Sequence, residues 1–122
     1  MLTFLDVNAI LRFLLRDIEE QAQIVRKHVA EGAETSVEVL AEVVYVLMGV
    51  YKAHRSDISA ALVQLCDDIY VHRADEVVLS ASIFEETKLD FVDCLIVARK
   101  RLSGQDVLTF DKRLIKELNK GK

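Results

Sequence analysis

Proline is absent from this 122-residue sequence and glycine occurs only four times, while 52% of residues are hydrophobic and 30% charged. A chain so poor in both breakers, and so rich in apolar side chains, is not collagen-like, disordered or a low-complexity linker. Cysteine is nearly missing as well. Cys66 and Cys94 are the only two, too few to staple a small secreted scaffold, and this points to a reducing cytoplasm. No uncharged stretch is longer than Val43 to Tyr51, which falls far short of the roughly 20 residues that span a bilayer. The opening Met1-Leu2-Thr3-Phe4-Leu5-Asp6 has no basic region and soon meets a charge, so no signal peptide and no membrane association are expected. Positive charge is also in short supply. Sixteen Lys and Arg face twenty Asp and Glu, a net charge of −4, the wrong sign for a protein that holds nucleic acid by broad neutralisation of phosphates. What remains is enough apolar sequence for one core, and residues 1–122 are read as a single domain.

The pattern along the chain alternates strands with helices. Leu2 to Leu5 is a short apolar, β-favouring run that ends at Asp6. A helix is predicted from Ala9 to Arg16, with Asp17 as N-cap and Glu20 at capping-box spacing for a second helix that stops at Gly32. Ala33 to Val37 resembles a strand leading into a helix over Val37 to Tyr51 that is apolar on nearly all sides, hence expected to be buried. Its stripe Glu38, Glu42, Tyr45 and Gly49 lies on one face. A helix capped by Ser56 or Asp57, a strand at Tyr70 to His72, helices over Asp75 to Thr87 and Asp90 to Leu102, a strand at Asp106 to Phe110 and a terminal helix from Asp111 complete the prediction. Strands separated by helices indicate an α/β fold with a parallel sheet.

Most acidic residues, such as Glu19, Glu85 and Glu117, read as solvated surface charge. Asp6, Glu42, Asp93 and Asp111 differ, because each is embedded among apolar neighbours, where an unpaired carboxylate is costly and needs a partner. Asp6 and Asp111 each follow a predicted strand, which places them on the rim where open parallel sheets bind ligands. Both are also well placed to cap the helix that follows, and Asp90 can cap the helix that carries Asp93. Like charges converging on one rim call for a hard divalent cation with oxygen ligands, Mg²⁺ or Mn²⁺. Such a cation suits attack of water on a phosphoryl group.

The order of these motifs resembles the PIN-domain ribonucleases, and within them the VapC-type toxins of toxin–antitoxin systems. It is carried by Asp6-Val7-Asn8, by Glu42 inside Val39 to Leu47, by Asp90-Phe91-Val92-Asp93 continuing to Ile96 and Ala98, and by Thr109-Phe110-Asp111. The resemblance implies a three-layer α/β/α domain with a short central parallel sheet. It implies that Asp6, Glu42, Asp93 and Asp111 are the catalytic, metal-binding acids for Mg²⁺ or Mn²⁺, with Asp90, Asn8 and Thr109 as auxiliary residues. It further implies a cytoplasmic homodimer that hydrolyses phosphodiester bonds of tRNA, rRNA or mRNA and is inhibited by a cognate antitoxin. Arg12, Arg16, Lys112 and Arg113 flank the acids as candidates for steering phosphate. Apolar positions from Ile10 to Leu15 exceed what one helix face buries, which suggests a surface for the antitoxin. The family's last edge strand is not expected, because only Leu118 to Lys122 follow the terminal helix.

Two other readings compete. A phospho-acceptor receiver domain needs an acidic pair after its first strand, an Asp after its third and a late Lys; here one Asp follows the first strand and the region near residue 50 is helical. A PIN-like scaffold without catalysis would keep the fold, but retention of acids at all four positions argues against it. Those four carboxylates equal the whole charge surplus of −4, so the acidity that spoke against nucleic acid becomes the charge of a metal site.

Overall fold

A computed structural model of the chain describes residues 1–120; the predicted end at Gly121 and Lys122 lies outside them. The elements run β1 (Thr3–Phe4), α1 (Val7–Leu15), α2 (Glu19–Glu31), β2 (Ala33–Thr35), α3 (Val37–Gly49), α4 (Arg55–Asp68), β3 (Tyr70–Val71), α5 (Ala74–Glu86), α6 (Phe91–Ser103) and α7 (Lys112–Asn119). The strands form a parallel sheet in the order β1-β2-β3, with Thr3 opposite Ala33 and Glu34 opposite Tyr70. This is the expected three-layer α/β/α arrangement, reduced to a minimal sheet in a mostly helical molecule. Alternation in β2 turns Ala33 and Thr35 into the core, where the Thr35 hydroxyl donates to the Leu5 carbonyl at 2.8 Å. Buried Leu5, Ile10, Leu40, Val43, Leu62, Phe84 and Val97 draw strands and helices into one continuous core.

Local chemistry explains most boundaries. Gly32 ends α2 at φ +118°, a backbone conformation other residues rarely adopt, and Gly104 ends α6 in the left-handed region at φ +74°. Other predicted boundaries shift. Ile18, not Asp17, occupies the N-cap position of α2, because Asp17 turns back to the Arg12 guanidinium at 3.3 Å. α4 begins at Arg55, before either predicted cap, and its first side chain bonds elsewhere, as described below.

Three larger expectations are corrected. Asp106 to Phe110 forms no strand: Leu108 and Phe110 are 88% and 90% exposed, so the alternation is real but among the described residues no strand stands beside it to complete a ladder. α3 is not buried all round; Leu40, Val43, Val44 and Leu47 face the core while Glu38, Glu42, Tyr45 and Gly49 face outward. Finally, α1 offers no spare apolar face between Ile10 and Leu15. Ile10 and Leu11 are buried, and Phe13, Leu14 and Leu15 are half-buried against the core, packed by α2 and α3.

Candidate active site

The predicted acids lie at helix N-termini and on one exposed helix face. Asp6 ends the β1 segment and caps α1, its Oδ1 accepting the Ala9 N–H at 2.8 Å. Asp111 caps α7 in the same way, accepting the Leu114 N–H at 3.0 Å through Oδ1. Each capping role uses one carboxylate oxygen, and both side chains are exposed, so the helix starts fix their position while the second oxygen stays free. The Thr109 hydroxyl accepts the Asp111 N–H at 3.1 Å, a bond within the turn that leads into α7. Asp90 occupies the N-cap position of α6 without making a capping bond. Asp93 follows in the first turn and is the only one of these carboxylates that is half-buried.

The expectation that these acids sit in buried settings is therefore corrected. Asp6, Glu42, Asp90 and Asp111 are exposed. The one buried charged side chain among the described residues is Glu76 on α5, which has cations to match it: Arg99 at 2.9 Å and Arg73 at 3.9 Å. Apolar neighbours in sequence misled the prediction for Glu42, since adjacent helical residues point about 100° apart: Val43 enters the core, and Glu42 beside it faces solvent.

Electrostatics brings three of the acids together. Burial raises the Asp93 pKa, and the carboxylates of Asp90 and Asp111 raise it further. Asp6 and Glu42 are not among the groups acting on Asp93. No group of three or more His, Cys, Asp or Glu among the described residues is gathered closely enough to ligate one ion. The donor chemistry nevertheless suits a hard cation. Mg²⁺ keeps several waters and takes only one or two protein carboxylates in many sites, and a half-buried Asp93 repelled by two others is a carboxylate that a cation would relieve. Cys94, next in sequence, is no rival nucleophile, because burial pushes its thiol up to about 11.

The basic candidates divide. Arg12 is nearly covered and bound to Asp17, with its side chain 13% exposed, so it braces the α1–α2 turn. Arg16 is exposed at the left-handed C-cap of α1, and Lys112 and Arg113 are exposed in the first turn of α7 beside Asp111. Asn8 is exposed and makes no side-chain hydrogen bond among the described residues.

Sequence reasoning missed one residue. Arg55 donates from Nε to the Phe84 carbonyl at 2.7 Å and from its guanidinium to the Leu89 carbonyl, with its Cζ 3.7 Å from the Phe84 ring centroid. Phe84 in turn meets Phe91 edge to face at 5.8 Å. The start of α4, the end of α5 and the turn into α6 are thus joined immediately before Asp90 and Asp93. An Arg at the start of a polar helix turn reads as surface charge, and only the fold reveals its two carbonyl partners.

A groove of about 630 Å³ separates α3 from the start of α6, with Asp90 and Asp93 among its lining residues. Its walls are mainly apolar, formed by Val44, Met48, Phe91 and Val92 with Tyr45. The family model described as PIN domain matches residues 3–120. No curated protein and no solved structure matches the chain.

Proposed function

The chain belongs to the PIN domain family, whose members are generally nucleases, and on that premise we propose that it is a divalent-metal-dependent endoribonuclease. The observation that carries the reading is Asp93 itself, half-buried in the first turn of α6, where burial first and the charges of Asp90 and Asp111 second disfavour its bare carboxylate, a charge that a bound cation would relieve. Asp93 and Asp111 would hold Mg²⁺ or Mn²⁺ together with water, with Asp90 as auxiliary acid and Asp6 and Glu42 completing the acidic face. Bound there, the ion supplies polarisation of a phosphate and a lowered pKa for the attacking water. The chain's own residues do the rest. The α1 and α7 N-termini hold Asp6 and Asp111 by their capping bonds, Thr109 orders the Asp111 backbone, and Arg16, Lys112 and Arg113 offer local positive charge to the RNA backbone in a molecule of net charge −4.

We further propose that the protein is a cytoplasmic, homodimeric toxin held by an antitoxin, a reading supported by the four motifs in order from Asp6 to Asp111. The rival reading, a silent scaffold, differs in its requirement for the acids. Purified protein incubated with structured RNA is expected to cleave it with Mn²⁺ and to stop in excess chelator, and Asp6→Asn to lose most of that cleavage. Cleavage that persists in chelator contradicts the metal mechanism, and cleavage undiminished in Asp6→Asn removes Asp6 from the site. Expression alone is expected to arrest growth, with Asp6→Asn restoring it; arrest that survives the substitution contradicts a toxic nuclease.

A further inference from the structure

The positive charge of the chain is gathered at one end of the sequence. Residues 99–122 hold eight of the sixteen Lys and Arg against three of the twenty Asp and Glu, a net +5, which leaves residues 1–98 with eight against seventeen, a net −9. Such asymmetry marks a segment that meets a polyanion. Within it, Arg113, Lys116 and Lys120 recur one helical turn apart along α7, roughly 5 Å, and line one groove of about 520 Å³. Lys88 joins them from the turn between α5 and α6. Lys88, Arg113 and Lys116 are exposed and form no ion pair among the described residues. The other lining charges are of two kinds. Glu117 is matched by Arg101 at 3.0 Å and Lys120 at 3.2 Å, and Arg55 is committed to the Phe84 and Leu89 carbonyls. Glu85 and Glu86, at the end of α5, are exposed and unmatched among the described residues.

We propose that this groove is the track along which the RNA backbone continues away from the acidic site, with Lys88 and Lys116 neutralising its phosphates and Glu85 and Glu86 repelling it towards α7. The inference rests on the nuclease reading. The groove's lining reaches Leu89, the neighbour of Asp90, and Arg113, two residues beyond Asp111, so a strand with one phosphate at Asp93 has its adjoining phosphates at the mouth of the groove. A lysine meets phosphate as a point charge and reads no base, so the affinity it adds is independent of sequence and falls with salt. A molecule of net charge −4 can hold RNA in this way because its surplus acids lie in residues 1–98.

The test measures binding of one unpaired oligoribonucleotide to the full chain in chelator, across a salt series, so that no cleavage intervenes. The four substituted positions are exposed, so the variants fold. In Lys88→Gln/Lys116→Gln the slope of log affinity against log salt should become shallower by about 1.4, the loss of two contacts to a single strand. A strand of different sequence should show the same change. Glu85→Gln/Glu86→Gln should bind more tightly than wild type at low salt, and that gain should vanish at high salt. With Mn²⁺ present, KM in the lysine variant should rise in step with its loss of affinity.

If wild type cleaves while the lysine substitutions leave affinity and slope unchanged, the inference falls and the nuclease reading stands. If binding depends on both lysines and on salt as stated but nothing is cleaved with Mn²⁺, the groove is a nucleic-acid track and the nuclease reading falls. Weaker binding in Glu85→Gln/Glu86→Gln refutes the repulsive wall. If polyglutamate of equal length binds as tightly as the RNA and loses the same slope in the lysine variant, the groove takes an acidic protein segment and the inference is overturned.

Discussion

Replacing Asp93 by Asn is expected to abolish RNA cleavage and, in the same variant, to make the fold more stable. The isosteric amide removes the charge that would meet a cation, so the loss in rate should exceed the about 10- to 100-fold typical of disturbing a metal's outer partners. The gain in stability follows from the surroundings. In the folded chain Asp93 is partly desolvated and faces Asp90 and Asp111, a repulsion the unfolded chain does not feel, and relieving partly exposed charges of this kind is worth about 0.2–1 kcal/mol. The sign with pH is fixed by the raised pKa. Ionised Asp93 lowers stability at neutral pH, and wild type recovers that loss by taking up a proton as pH falls through the raised value towards 3.8. The stability difference between variant and wild type should therefore be largest near pH 7 and vanish in acid. Urea unfolding across pH checks this, and a variant less stable than wild type at pH 7 would show that Asp93 holds the fold rather than burdening it.

The second large effect belongs to Arg55. Arg55→Leu should destabilise the protein by about 2–4 kcal/mol, since bonds from a charged donor to carbonyls contribute about 1.5–3 kcal/mol each and a cation over an aromatic ring about 0.5–2 kcal/mol, partly offset by the apolar replacement. Burial lowers the Arg55 pKa but leaves the group cationic at all ordinary pH. Arg55→Lys should recover less than half of the loss, because a point donor cannot reach both the Phe84 and Leu89 carbonyls from over the ring. Cleavage should also fall in Arg55→Lys, as the turn that positions Asp90 and Asp93 loosens. Chemical denaturation decides the matter: a loss below about 0.5 kcal/mol in Arg55→Leu would mean that packing alone sets the α5–α6 turn.

Helix order was legible in the sequence because 3.6-residue periodicity and stop signals such as Gly32 and Gly104 are local properties. The strand predicted at Asp106 to Phe110 failed for the complementary reason. Alternating apolar residues describe what a strand would bury, and whether a neighbour stands beside it is decided elsewhere in the chain. The candidate acids were legible as positions, and their settings were not. Flanking apolar residues placed Glu42 in the core, although its own direction on α3 is outward, and the carboxylate that is buried, Glu76, lies in a helix that drew no functional attention. Asp6 and Asp111 take the capping role that the sequence offered, which occupies one oxygen of each and leaves the other at the surface. Arg55 and the Tyr45–Gly49 groove depend on contacts between α3, α4, α5 and α6, which no single stretch of sequence contains.

The central claim, that the acids around Asp93 cleave RNA through a divalent cation, is tested most directly by the cleavage rate of an unpaired oligoribonucleotide across a Mn²⁺ titration, wild type against Asp93→Asn. A saturable rise from zero in wild type and a flat line in the variant is the predicted result; equal rates in the two proteins, or a wild-type rate independent of Mn²⁺, would contradict it.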